Sequence, residues 1–121
     1  MIVLAVAVMG GLGAVTRFVV DGVLRARYRT AVPAGTMVIN LTGAFALGVI
    51  TGLVAHGTTA VLATVAGTGF LGGYTTFSTA SLETARLVQD RRWLAAFVHA
   101  AGMLVAAVAL AAAGFALGHA L

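Results

Sequence analysis

The sequence predicts an all-α membrane protein built from four transmembrane helices. Of its 121 residues, 61% are hydrophobic and 8% are charged, whereas an ordinary soluble domain has about 25% charged residues. A chain of this length leaves much of its surface exposed, so that surface is expected to face lipid. The hydrophobic residues form four stretches, each of at least the roughly 20 residues that a helix needs to cross a bilayer. Alternation at period two is absent, which favours helices over a β-barrel.

The composition also excludes other classes of protein. A chain without cysteine is not a disulfide scaffold. A multidomain enzyme, a disordered tail and a basic nucleic-acid-binding domain do not fit so hydrophobic a sequence. The formal net charge of +4 includes seven basic residues, all arginine, so the positions of these arginines matter more than their sum.

We predict membrane spans at residues 2–23, 31–55, 58–88 and 93–120, in one domain covering residues 1–121. The first span is not preceded by basic residues, which is unlike a cleaved signal peptide. It ends with Arg17 and Asp21, which are one helical turn apart. Arg17 can pair with Asp21 or reach towards the lipid headgroups.

The second span carries one amide side chain, that of Asn40. An amide cannot bond to its own helix as readily as a hydroxyl can, and unsatisfied polar groups are costly in lipid. Asn40 is therefore expected to line a pore or to join two helices.

The third span contains the run Gly67–Thr76, which has four glycines and three threonines in ten residues. Glycine is a poor helix former, so we predict that the third helix breaks within this run. Non-helical backbone at membrane depth survives only where protein buries it or where it lines a wet cavity. The predicted break is therefore a candidate functional site, at which freed carbonyl groups suit a cation.

The fourth span, from Trp93 onward, contains no Ser, Thr or Tyr. In the second and fourth spans, the pairs Gly48/Gly52 and Gly114/Gly118 place small residues one turn apart. Such spacing predicts close packing of helix backbones.

Arginines are unevenly distributed among the connections. Three lie in the first connection and three around the third, whereas the second connection and both termini have none. The six residues are Arg25, Arg27, Arg29, Arg86, Arg91 and Arg92. The positive-inside rule then places these connections in the cytoplasm and both termini outside.

No catalytic constellation is visible in the sequence. The histidines are scattered without metal-ligand spacing, and the three carboxylates are too dispersed for paired acid–base chemistry. The Gly10–Gly13 run is not preceded by the strand of a nucleotide-binding fold. We therefore do not expect an enzyme.

Three segments combine glycine with polar residues inside the predicted spans. They are Gly10-Gly11-Leu12-Gly13-Ala14-Val15-Thr16-Arg17-Phe18, Gly35-Thr36-Met37-Val38-Ile39-Asn40-Leu41-Thr42-Gly43-Ala44-Phe45 and Gly69-Phe70-Leu71-Gly72-Gly73-Tyr74-Thr75-Thr76-Phe77-Ser78-Thr79, the last followed by Ser81-Leu82-Glu83. In order and spacing, these segments resemble the CrcB or Fluc family of small four-helix fluoride channels. The resemblance implies a fluoride-specific channel subunit in the cell inner or plasma membrane, which exports fluoride passively and reduces fluoride toxicity.

The resemblance also implies an antiparallel dual-topology dimer with two fluoride pathways and a central structural sodium ion. Sodium would be held by the backbone carbonyls of Gly72 and Thr75. Fluoride would pass Asn40 and the ring edge of Phe77. Four further residues complete the implied site: Thr76, Ser78 and Thr79 near the fluoride path, and Arg17 in an aqueous vestibule that attracts anions.

Charge distribution bears on the kind of dimer. A dual-topology homodimer needs nearly balanced loop charges, and six arginines against none are far from balanced. The resembling family usually has a second Phe where this chain has Ala80, and it commonly places hydroxyl groups on the fourth helix. We therefore expect one fixed orientation and a heterodimer with a related subunit of opposite charge bias.

Two other functions remain open at this level. One is a non-conducting partner subunit, favoured by Ala80 and by the fourth span without hydroxyls. The other is a small multidrug exporter, which needs an intramembrane carboxylate in the first helix. The first helix has only Asp21, at its end.

Overall fold

The computed structural model describes residues 1–29 and 32–121, in which the regular elements are helices. They are α1 (Ile2–Arg27), α2 (Ala34–Ala55), α3 (residues 60–74), α4 (Phe77–Gln89) and α5 (Trp93–Ala120). By length and composition, α1, α2 and α5 can cross a membrane, and α3 and α4 are two halves of one bent segment. The prediction of an all-helical chain with a broken third helix is confirmed.

One helix ends later than its predicted span. Helix α1 continues through Arg25 and Arg27 instead of ending near residue 23. Arg25 bonds to Asp21 one turn earlier, and cations are favourable at a helix C-terminus, so both effects extend the helix. The predicted start of the second span at residue 31 lies outside the described residues, and α2 begins at Ala34.

Helices α2 and α5 pack with their backbones in contact, as their glycine pairs predict. A methyl group at Gly48 would collide with the carbonyl of Ala111, and one at Gly114 would collide with the carbonyl of Phe45. The contacts are thus reciprocal, because the backbone of each helix packs directly against glycines of the other. Small residues allow this approach, which gains dispersion energy in a solvent where apolar burial gains little.

Helices α1 and α3 form a second pair of the same kind. Gly13 lies against the carbonyl of Phe70, and Gly73 lies against the carbonyl of Gly10. Part of α3, from Ala63 to Leu71, is a π-helix, with a wider turn than an α-helix. The glycines of the predicted breaking run therefore stay helical and serve this packing.

The break itself falls at the last two residues of that run. Thr75 and Thr76 have extended backbone, with φ/ψ of −79°/160° and −149°/123°. β-Branched residues favour extended backbone more than helix. The chain breaks in the predicted run, at its threonines rather than at its glycines.

Candidate functional site

An open groove of about 820 Å³ runs along the break between α2, α3, α4 and α5. Phe77 lies in its lining with 87% of its surface exposed. The groove is mainly apolar, and its polar side chains belong to Asn40, Thr75, Thr76, Ser81 and Thr84. Such a lining leaves few places at which a polar solute can exchange water for protein contacts.

Asn40 joins α2 to the break. Its Nδ2 donates to the carbonyl of Thr76, and its Oδ1 accepts from the amide N–H of Thr76, both at 2.8 Å. Nδ2 also lies 3.7 Å from the sulfur of Met103 on α5. Of the two roles predicted for Asn40, joining helices is thus visible directly, and the same side chain also lines the groove.

The hydrogen bonds between Asn40 and the Thr76 backbone leave the Gly72 carbonyl without the donor that a helix would give it. In a continuous helix the Thr76 N–H would donate to Gly72, four residues earlier. Here that N–H is used by Asn40. Backbone polar groups at membrane depth need a partner. The Gly72 carbonyl is therefore available to a donor or a cation from outside the helix.

The Thr75 carbonyl is freed in a similar way. Its helical donor would be the N–H of Thr79, which instead bonds at 3.2 Å to the Thr76 hydroxyl that caps α4. Both carbonyls that the family resemblance assigns to sodium thus lose their helical donors at the break. Backbone carbonyls suit a hard cation of low charge.

Thr76, Ser78 and Thr79 form a cluster of hydroxyl groups at the start of α4. The Thr76 hydroxyl lies 3.0 Å from that of Thr79 and 3.4 Å from that of Ser78. Thr76 lines the groove, whereas Ser78 and Thr79 are not part of its lining. A place for Ser78 and Thr79 beside a fluoride path stays a prediction.

Arg17 does not bond to Asp21, the partner one turn away. Asp21 instead accepts from Arg25 at 2.8 Å, and Arg25 also reaches Glu83 on α4 at 3.0 Å. The Nε atom of Arg17 is buried and has no hydrogen-bond partner among the described residues. A role for Arg17 in attracting anions stays a prediction.

The arginine-rich connections meet at one end of the molecule. Arg25, Arg29, Arg86 and Arg92 line one pocket of about 420 Å³, together with Glu83 and Asp90. This placement agrees with the grouping of the first and third connections on one side. Which side of the membrane that is stays a prediction.

Sequence patterns do not single out the polar cluster behind the groove. His99 on α5 is fully buried at 0% exposure, and its Nδ1 lies 2.8 Å from the hydroxyl of Thr84. Its Nε2 lies 3.5 Å from Glu83. The available signal was a lone polar residue in an apolar span, which is itself an indication of function in membranes.

Comparison with known proteins covers almost the whole chain. A family described as CrcB-like protein, Camphor Resistance (CrcB), matches residues 4–115. The chain belongs to the CrcB family. Membership confirms the resemblance read from the first three spans and extends it through most of α5.

Curated relatives in this family are named as channels. Fluoride-specific ion channel FluC 1 of Leifsonia xyli subsp. xyli is 51% identical, over 98% of this chain and 87% of its own length. FluC 2 of Cutibacterium acnes is 45% identical, over 98% of each protein. FluC 2 of Mycolicibacterium paratuberculosis is 47% identical, over 91% of this chain and 85% of its own length. This chain is thus a multi-pass membrane protein of a channel family and not of an enzyme family.

Proposed function

We propose that this chain is a subunit of a fluoride-specific channel that exports fluoride passively from the cytoplasm across the cell membrane. Relatives that are 45–51% identical along almost their whole length carry that name. The observation that carries the proposal is the break itself, where Asn40 and Thr76 meet a groove containing Phe77.

The groove offers an anion the contacts that replace water. A dehydrating anion needs hydrogen-bond donors, and Asn40 can supply one, because its second N–H meets only the weakly accepting sulfur of Met103, at 3.7 Å. The edge of an aromatic ring carries partial positive charge, and Phe77 is exposed in the lining. Fluoride is proposed to move past Phe77, Asn40 and the α4 hydroxyls, with Arg17 drawing anions to an aqueous vestibule.

The carbonyls of Gly72 and Thr75 fit a structural sodium ion. Both have lost the donors that a continuous helix would give them. A bound cation would offset the repulsion between carbonyl dipoles aligned at a dimer centre. Asn40 is then the residue that keeps the Gly72 carbonyl free by holding the Thr76 N–H.

The proposed assembly is an antiparallel heterodimer with a related subunit. The groove is open in a single chain, and a second subunit would close it. Six arginines at one end against none at the other favour one orientation, with both termini outside.

A non-conducting role within such a pair is the second candidate. The α5 side of the groove consists of Ala100, Met103, Leu104 and Ala107, without a hydroxyl group. Ala80 is also small and buried at 4% exposure. A multidrug exporter is not supported, because Asp21 lies near the end of α1 and is paired with Arg25.

Fluoride efflux from liposomes, read with a fluoride electrode, tests the proposal. The chain is reconstituted alone and together with a related subunit encoded beside it. Passive fluoride efflux above that of protein-free vesicles is expected for the pair. Absence of efflux in both preparations, with correctly inserted protein, would contradict channel function. Robust efflux from this chain alone would contradict the heterodimer.

Phe77→Leu separates a conducting from a non-conducting subunit. It removes the ring but keeps an apolar side chain in the groove, so flux through the pair should fall at least about tenfold, the effect of losing one well-placed anion contact. Phe97→Leu is the matched control, because Phe97 is exposed on α5 and is not part of the groove lining. Unchanged flux in Phe77→Leu would assign this chain the non-conducting role.

A further inference from the structure

His99 occupies an unusual position for an ionisable side chain. It is the one polar residue between Trp93 and His119, and it is fully buried at 0% exposure. It lies in a π-helical turn of α5, Val98–Gly102, within an otherwise α-helical element. π-Turns inside helices occur frequently at functional sites.

The partners of His99 connect the groove with the arginine-rich end. Its Nδ1 meets the hydroxyl of Thr84, which lines the groove. Its Nε2 lies 3.5 Å from Oε2 of Glu83, whose Oε1 accepts from Arg25 at 3.0 Å. Neither that Oε2 nor that Nε2 is exposed to solvent or has a hydrogen-bond partner in the described part of the chain.

The Thr84 hydroxyl has two acceptors and one proton. Its Oγ1 can donate to the carbonyl of Ala80 at 2.9 Å, and it lies 2.8 Å from Nδ1 of His99. A hydroxyl group donates one hydrogen bond and accepts others. The Glu83 carboxylate 3.5 Å from Nε2 favours a proton on that nitrogen of the neutral ring, and Nδ1 then competes with the Ala80 carbonyl for the hydroxyl proton. When Nδ1 carries a proton, it donates to Thr84 and releases the hydroxyl proton.

Protonation of His99 therefore changes what Thr84 presents to the groove. The doubly protonated ring donates to Thr84 and points its second N–H at Glu83. The hydroxyl proton is then free to turn towards the Ala80 carbonyl or towards an anion in the groove. The ring also adds a positive charge directly behind the lining.

We propose that His99 is a positioning residue for anion passage, which on protonation frees the Thr84 hydroxyl to donate to an anion in the groove. The inference rests on the proposed channel function. Fluoride flux should then increase as the pH falls through the titration of His99. By linkage, fluoride should also favour the protonated ring.

Other charged groups around this site are identifiable. Glu83 on α4 faces His99 directly, and behind it lie Arg25 and Asp21 on α1. Arg86 lines the same pocket as Glu83 and Arg25. Helix α2 carries no ionisable side chain between Ala34 and Ala55. Glu83 is thus the charged group whose influence must be separated from that of His99.

The first test compares the pH dependence of fluoride efflux in the reconstituted pair. Wild type should gain on the order of tenfold in flux between the pH at which His99 is neutral and the pH at which it is doubly protonated, the effect of one hydrogen bond to a charged group. His99→Asn keeps a polar group beside Thr84 but cannot take up a proton, so its flux should not change with pH. Protein-free vesicles at each pH correct for leakage of hydrogen fluoride.

His119→Asn is the matched control, because His119 is an exposed histidine of the same helix. It should keep the wild-type pH profile. Glu83→Gln, which removes the carboxylate but leaves His99 in place, should shift the profile and not abolish it. A pH profile that survives in His99→Asn, or that is absent in wild type, overturns the proposal.

A second measurement does not depend on flux. ¹⁵N NMR of the imidazole ring in the intact protein reports which nitrogens carry protons. His99 should change from its neutral to its doubly protonated form as the pH is lowered. Adding fluoride should shift the midpoint upwards in wild type and not in Thr84→Val. A ring that does not titrate, or that does not respond to fluoride, overturns the proposal even if the chain conducts no fluoride.

Discussion

At the scale of single residues, Asn40 has the largest structural effect of the polar side chains. It supplies the bonds that the Thr76 backbone would otherwise make within a helix. A backbone turn is thus held by a side chain that is 36 residues away in the sequence. The freed carbonyl of Gly72 therefore depends on this one amide.

Asn40→Ala should therefore lower both stability and flux. It leaves the N–H of Thr76 without a partner, at a cost of about 1–3 kcal/mol for a buried group, and removes one of the bonds to its carbonyl. We expect a lower Tm in detergent and a smaller sodium-dependent rise of that Tm than in wild type. Thr51→Ala is the control, since the exposed Thr51 hydroxyl bonds to the Leu47 carbonyl of its own helix. Equal Tm values for Asn40→Ala and Thr51→Ala would show that the bonds at Thr76 do not stabilise the fold.

Some polar residues of the site are predictable from the sequence, and others are not. Asn40, Thr76 and Phe77 are predictable because an amide, a hydroxyl and an aromatic ring lie next to an expected break in an apolar span. The pairing of Thr84 with His99 is not predictable by periodicity, because it depends on how α4 and α5 pack. A buried histidine and an exposed one look alike in a one-dimensional pattern.

At the scale of helices, glycine has one main use in this chain. It brings α2 against α5 and α1 against α3, with backbone atoms in contact. The sequence predicts this use for Gly48/Gly52 and Gly114/Gly118. In the Gly67–Thr76 run the glycines stay helical, because packing against α1 overrides their low intrinsic helix propensity.

Gly48→Ala should weaken the α2–α5 pair. The added methyl group would meet the backbone of Ala111, which cannot move as a side chain does. Overpacking of this kind costs about 1–3 kcal/mol, so a lower Tm and more aggregation on heating are expected in size-exclusion chromatography. Gly102→Ala is the control on α5, because its methyl group would approach nothing closer than the Val98 side chain at 3.8 Å. Equal stability of the two variants would contradict close packing at Gly48.

At the scale of the whole molecule, charge is concentrated at one end. Four arginines line a single pocket there, while the α2–α3 connection carries none. The positive-inside rule converts this asymmetry into a direction of insertion. The fold class follows from hydropathy alone, whereas the subunit arrangement depends on a surface that one chain does not complete.

Removing charge should remove the fixed orientation. The quadruple variant Arg27→Gln, Arg29→Gln, Arg91→Gln, Arg92→Gln keeps Arg25 with its partners Asp21 and Glu83. Because the chain has no cysteine, Thr58→Cys provides a single label between α2 and α3. In intact cells an impermeant maleimide should label this position fully in the parent and about half in the quadruple variant. Half-labelling of the parent would show dual topology and contradict one-way insertion.

The bond between Asn40 and Thr76 also has a consequence for biosynthesis. Translation delivers α2 to the membrane before the chain reaches Thr75 and Thr76, so the amide that completes the break is in place when those residues emerge. The irregular backbone can thus bond to Asn40 during insertion, so its polar groups do not remain unpaired in lipid. A circular permutation that placed α2 after α4 would lose this order of events while keeping every contact of the finished protein.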